Sequence, residues 1–238
     1  MKTIIDIVLL IIIALCTWNG YKRGLMGGIA GIIAIVVAVF GASLLSTAYA
    51  HEIVPALEPF VDGYVDSQEN RSEILETLGY GSSDYSLEDI LEQDSSLRYD
   101  YAYENFVKLG IYEKHAEKLA GDAVERAERD GVNMTDAVVS VLCDAVTNVG
   151  TMAVAFLLIL ILIVAVGNMG NLSFRIPNME NLDEIGGAVL GFFKGFLYCI
   201  LLSWLLSFLG LIIGKYTMTH TTLGRFFLIF DFITGTLL

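Results

Sequence analysis

The sequence predicts an all-α integral membrane protein with four transmembrane helices and an acidic helical segment inserted between the second and third. Three observations predict it. The 238 residues are 55 % hydrophobic and only 17 % charged, and the apolar residues lie in four long blocks instead of being spread periodically, which is the pattern of membrane spans and not of a soluble core. The net charge of −13 is concentrated in one segment: residues 49–148 hold 22 Asp/Glu against 7 Lys/Arg. No alternating strand pattern occurs in that segment, whereas helix start and stop signals recur there. So acidic a segment argues against nucleic acid and against docking on an anionic lipid surface.

Four segments follow: a first transmembrane hairpin (1–48), the acidic insertion (49–148), a second transmembrane pair (149–213) and an interfacial C-terminal tail (214–238). The first span, about 3–20, is broken only by Asp6. Its length also suits a secretory leader, but the small-x-small pattern Ala48-Tyr49-Ala50 follows the second apolar block, so the span reads as retained. Asn19-Gly20-Tyr21-Lys22-Arg23-Gly24 reads as a tight turn into the second span, Leu25 to Leu45. That span opens with two overlapping small-xxx-small spacings, Gly24/Gly28 and Gly27/Gly31, of the kind that lets helix backbones approach closely in lipid.

In the acidic segment, Ser86-Leu87-Glu88-Asp89 resembles a capping box. Tyr112 to Asp130 reads as a helix closed by Gly131, with Lys114/Glu117 and Glu125/Arg129 as surface charge pairs. A helix starting at Thr135 places Val138, Val141, Leu142, Ala145 and Val149 on one face and leads into the third span, Thr151 to Val166. A loop containing Arg175, Asp183 and Glu184 precedes the fourth span, which reaches Ile213. Gly187, Gly191 and Gly195 recur every four residues at its start. The tail, with Phe226, Phe227, Phe230 and Phe232, is too short to cross again; it lies along the interface or folds back on the bundle.

Lys and Arg in the short loops set orientation. Lys22, Arg23 and Arg175, with Lys194 nearby, outweigh Lys2, Lys215 and Arg225. This predicts both short loops inside, with both termini and the acidic segment outside.

Little in the sequence points to chemistry. His51, His115 and His220 stand far apart, and His115 reads as a solvated surface histidine. Cys16, Cys143 and Cys199 have neither disulfide nor zinc spacing. Glu88/Asp89/Glu92 and Asp62/Asp66 read as solvated acidic faces without calcium-loop spacing. No nucleotide or hydrolase motif occurs, so neither cofactor nor metal nor catalytic residue is expected. Asp6 and Lys194, charges inside apolar runs, are either functional or snorkel to an interface; they begin on opposite sides and do not pair directly.

Two stretches together resemble the colicin V production protein family of bacterial inner-membrane proteins. The first is Ile5-Asp6-Ile7-Val8-Leu9-Leu10 followed by Gly20-Tyr21-Lys22-Arg23-Gly24-Leu25. The second is Leu182-Asp183-Glu184-Ile185-Gly186-Gly187-Ala188-Val189-Leu190-Gly191-Phe192-Phe193-Lys194-Gly195. The resemblance covers about 3–48 and 149–212 and leaves out the acidic segment. It implies a multi-pass inner-membrane protein that supports production or export of a bacteriocin toxin without catalysis of its own. By the same resemblance Asp6, Gly20, Arg23, Gly24, Asp183, Gly187, Gly191, Lys194 and Gly195 are the positions to test. The competing reading is an oligomeric channel or transporter subunit. Expected partners are the bilayer, a second copy through the glycine-lined helices, and a protein met by the acidic segment.

Overall fold

The computed structural model describes residues 2–80, 87–169, 180–208 and 221–230, and every regular element among them is a helix. In chain order these are α1 (Lys2–Val65), α2 (Gln68–Thr77), α3 (Leu87–Gln93), α4 (Leu97–Lys108), α5 (Glu113–Asp130), α6 (Met134–Met169), α7 (Glu180–Phe208) and α8 (Thr222–Leu228). Three of them, α1, α6 and α7, are long and apolar enough to cross a membrane. Ser86, most of the Gly79-to-Asp84 turn, Arg175, Lys215, His220 and Phe232 lie outside the described residues.

α1 is interrupted once. Gly24 has φ 72° and ψ −178°, outside helical geometry, in a region that only glycine occupies without strain. The turn read as spanning 19–24 is therefore a single residue, because Asn19 to Arg23 are still helical. This divides α1 into a first arm, 2–23, and a second arm, 25–65. The second arm also runs further than expected. It does not end near 48 but continues through Pro55 and Pro59 to Val65, so Ala48-Tyr49-Ala50 sits inside a helix.

The chain forms two compact units. One comprises 2–48, 149–169, 180–206 and 221–230; the other comprises 49–148 with Ser207 and Phe208. The first is described under the candidate site. In the second, α4 and α5 pack face to face. α5 turns His115, Ala116, Leu119, Ala120, Ala123 and Ala127 inward, a stripe at three- and four-residue spacing. Gly131, with φ 66°, closes it as the sequence predicts. The next helix begins one residue before Thr135, with the Asn133 side chain accepting the Asp136 amide at 2.7 Å. Val138, Val141, Leu142, Ala145 and Val149 are all buried.

One polar expectation in this unit is corrected. His115 is not solvated: it is 4 % exposed, stacked on Phe208 with centroids 4.7 Å apart and met edge-on by Tyr112. It lies four residues before Leu119, on the same inward stripe. The acidic side chains Asp62, Asp66 and Asp89 are exposed as expected, and on that surface Arg71 bridges Asp66 and Glu88. Arg129 pairs with its neighbour Asp130 at 2.9 Å, with Glu125 acting on it as a further charge. Tyr101, fully buried, shares a hydrogen bond with Thr135 at 3.2 Å, and burial raises its phenol above the ordinary value. Arg126 donates to Asp144 at 2.6 Å and also to Ser140.

Candidate functional site

Seven of the predicted site residues, Gly20, Gly24, Asp183, Gly187, Gly191, Lys194 and Gly195, meet along one seam, where α7 lies against both arms of α1. Gly187, Gly191 and Gly195 fall on one line of α7 and are buried, and Cys199 and Ser203 continue that line. Along the first arm the facing line is Gly24, Gly20, Cys16, Ile13 and Leu9. A Cβ added at Gly195 would stand 2.9 Å from the Ile13 Cα. One added at Gly191 would stand 3.0 Å from the Gly20 Cα and 3.1 Å from the Thr17 Cα, and would collide with the Cys16 carbonyl oxygen. At Gly187 it would meet the carbonyl carbon of Gly24 at 2.6 Å. The Cys199 thiol donates to the Leu9 carbonyl at 3.4 Å. These neighbours are mostly backbone, so no rotamer change relieves them. Small residues are required because the backbones themselves touch.

The register of this seam establishes the hairpin. On the first arm the numbers fall as those of α7 rise, so the two run antiparallel. On the second arm they rise together: Gly186 meets Leu25, Leu190 lies against Gly28 and Lys194 lies against Gly31. One stretch of α7 that runs against one arm and along the other requires the arms to be antiparallel to each other. The reversal is at Gly24. Gly27, by contrast, faces its own Arg23 side chain and not α7, so only part of the Gly27/Gly31 spacing serves this packing.

Asp183 and Glu184, expected in a loop, stand in the first turns of α7. Asp183 is 4 % exposed, and its Oδ1 accepts the Leu25 amide at 2.8 Å. That amide opens the second arm and has no partner within its own helix; an anionic acceptor there also suits the positive end of the helix dipole. Glu184 accepts the Tyr21 hydroxyl at 2.8 Å. Arg23 is exposed beside the turn.

Lys194 is half-buried, its Nζ 5.7 Å from the centre of the Tyr198 ring and beside the space that glycine leaves at position 31. Asp6 has different neighbours. Its Oδ1 accepts the Leu223 amide at 3.0 Å and its Oδ2 the Thr222 amide at 3.4 Å, so it caps α8. The described part of the tail thus folds back on the helices. There Phe227, Leu9, Cys199 and Ile200 form a buried cluster, with the Phe196 ring set edge-to-face against Phe226, Phe227 and Phe230. Asp6 and Lys194 do not pair.

The two arms of α1, the turn between them and the first part of α2 are also where the chain matches a known family. Residues 5–74 match the colicin V production protein family. The match bears out the resemblance read from Asp6 and the Gly20–Leu25 turn, and it runs past residue 48 into the start of the acidic segment, which the resemblance left out. Asp183, Gly187, Gly191, Lys194 and Gly195 lie outside the matched residues, and they are what the matched hairpin packs against. No curated protein and no solved structure compared with the chain gives a significant match.

Cys16 and Thr17 are seam residues that the sequence analysis does not single out. Cys16-x-x-x-Gly20-x-x-x-Gly24 is itself a four-residue small spacing, facing the glycine line of α7. Among the described residues no three His, Cys, Asp or Glu converge to hold a metal ion.

Proposed function

We propose that this chain is a multi-pass bacterial inner-membrane protein of the colicin V production type, supporting production or export of a toxin without catalysis of its own. The observation that carries this reading is the family match over residues 5–74, which falls on the hairpin whose two arms α7 clamps. In this reading the hairpin makes two crossings and α6 and α7 one each. The first arm, 22 residues long at about 1.5 Å per residue, reaches across a hydrocarbon core of about 30 Å. Lys22 and Arg23 at the turn put the turn in the cytoplasm, which leaves the acidic segment outside.

The family's candidate positions act in this reading as packing and capping groups. Gly20, Gly24, Gly187, Gly191 and Gly195 are used within one chain, which leaves any second copy to other faces.

Two measurements test the proposal. In a colicin V-producing cell that lacks its own colicin V production protein, expression of this chain should restore toxin release. A membrane-inserted, stable chain that restores none refutes the role. An export-dependent reporter fused near Asp100 should be active; activity of a cytoplasm-dependent reporter there reverses the orientation.

A further inference from the structure

Beyond Leu45 the second arm continues as helix for twenty more residues, to Val65. This continuation presents an apolar stripe that none of the described residues of its own unit covers. Tyr49, Ile53, Phe60 and Tyr64 are 54, 44, 78 and 38 % exposed, and Ala56 between them is exposed. Their spacing of four, three, four and four residues keeps them on one helical face. Gly63 borders the stripe, and a Cβ built there meets nothing within 4 Å. The packed side of the same helix is elsewhere: Val54, Leu57 and Val61 are half-buried and Val65 is fully buried. A run of large apolar side chains at heptad-like spacing, on a face turned away from the packed side, marks an interaction surface.

Charge selects the occupant. Residues 49–66 carry Glu52, Glu58, Asp62 and Asp66 and no Lys or Arg. Glu52, exposed, stands next to the stripe and is the carboxylate that borders it; Glu58 and Asp62 lie on the far side of the helix, towards Cys143, and Asp66 pairs with Arg71. A second copy in the same membrane is related by an axis normal to the bilayer, which sets Glu52 against Glu52 with no cation on this helix to offset it. An anionic lipid surface is repelled in the same way. We propose that this face docks an amphipathic helix of a partner protein, its apolar side on Ile53, Ala56 and Phe60 and its flanks rich in Lys or Arg. Main-chain hydrogen bonds are already satisfied within both helices, so recognition rests on the apolar anchors and the charge of the flanks. The inference does not depend on the role proposed above.

The test uses the full chain in phosphatidylcholine nanodiscs and two fluorescent three-heptad peptides of identical apolar face, one with Lys and one with Glu at the flanking positions. The Lys peptide should bind, at least about tenfold tighter than the Glu peptide. Phe60→Ser and Ile53→Ser should each weaken it about tenfold, with helical content unchanged by circular dichroism. Glu52→Lys, which touches no packing, should narrow the preference between the peptides. Equal binding of both peptides, or undiminished binding by Phe60→Ser, overturns the proposal. So does efficient self-crosslinking of a Phe60→Cys protein, which would assign the face to a second copy. Quenching of a Tyr64→Trp protein by brominated lipid would assign it to the bilayer and overturns it equally.

Discussion

Asp183, near the start of α7, holds the amide of Leu25 at 2.8 Å, one residue past the glycine where α1 reverses. One carboxylate thereby ties the last long helix to the turn of the first hairpin. Asp183→Ala removes the acceptor and leaves a half-buried amide without that partner, a loss of about 1–2 kcal/mol by comparison with other helix caps. Asp183→Asn retains an acceptor oxygen and should keep most of the stability. Thermal melts of the purified protein in detergent would show both.

Gly24 should respond to the same carboxylate. Its φ of 72° with ψ near 180° strains any other residue by about 1–3 kcal/mol, and an added Cβ would stand 2.7 Å from the Asp183 carboxyl carbon. Gly24→Ala should therefore be more damaging than the backbone alone explains. Combined with Asp183→Ala it should lose less than the two single losses together, because the collision is gone. Strict additivity of the melting free energies would show that the carboxylate does not sit at the turn.

Glycines on helices offer a paired comparison. Gly191 faces the Cys16 carbonyl and the Cα atoms of Gly20 and Thr17, none of which moves without the helix. Gly191→Ala should destabilise by about 1–3 kcal/mol through overpacking, and Gly191→Leu should prevent folding or insertion. Gly121 on α5 has nothing within 4 Å of an added Cβ. Gly121→Ala should stabilise, by up to about 1 kcal/mol, since alanine is the better helix former. Equal melting shifts of the same sign for Gly191→Ala and Gly121→Ala would contradict the seam.

The seam was largely legible in the sequence, because close packing in lipid writes itself as small residues every four positions. Gly187, Gly191 and Gly195 announce it on α7, and Gly20 and Gly24 on the first arm. What the spacing does not state is the partner: the same glycine line suits a second copy or another helix of the chain, and only the register distinguishes them. The length of the second arm is hidden because the apolar block stops near Leu45 and polar, acidic sequence follows it. Helix propagation through an exposed stretch leaves no such mark. His115 was misread because its polarity outweighed its place on the Leu119, Ala123 and Ala127 stripe. Asp6 is conspicuous as a charge in an apolar block, but its partner α8 lies over 200 residues away, and no local pattern connects them.

Asp6 should act as a latch for that tail. With the carboxylate gone in Asp6→Ala, the Thr222 and Leu223 amides lose their acceptor, while the Phe196, Phe226, Phe227 and Phe230 rings remain. The expected result is faster hydrogen exchange at those two amides and earlier proteolytic clipping near Arg225, with little change at the Gly191 seam. Exchange unchanged from the parent would mean that the aromatic cluster alone holds α8.

His115 and Phe208 allow a sharper measurement, since both are buried and their rings stack at 4.7 Å. Truncating a buried ring commonly loses about 3–5 kcal/mol, so His115→Ala and Phe208→Ala should each destabilise strongly. Part of each loss is the contact with the other ring, and that part is counted twice when the single losses are added. The double variant should therefore fall short of the sum by about 0.5–1.5 kcal/mol, the coupling usual for aromatic pairs. His115→Phe, which keeps a ring in the same place, should recover much of the loss seen with alanine. A solvated His115, as its polarity alone suggests, predicts instead that both substitutions at 115 leave stability nearly unchanged and that the cycle shows no coupling.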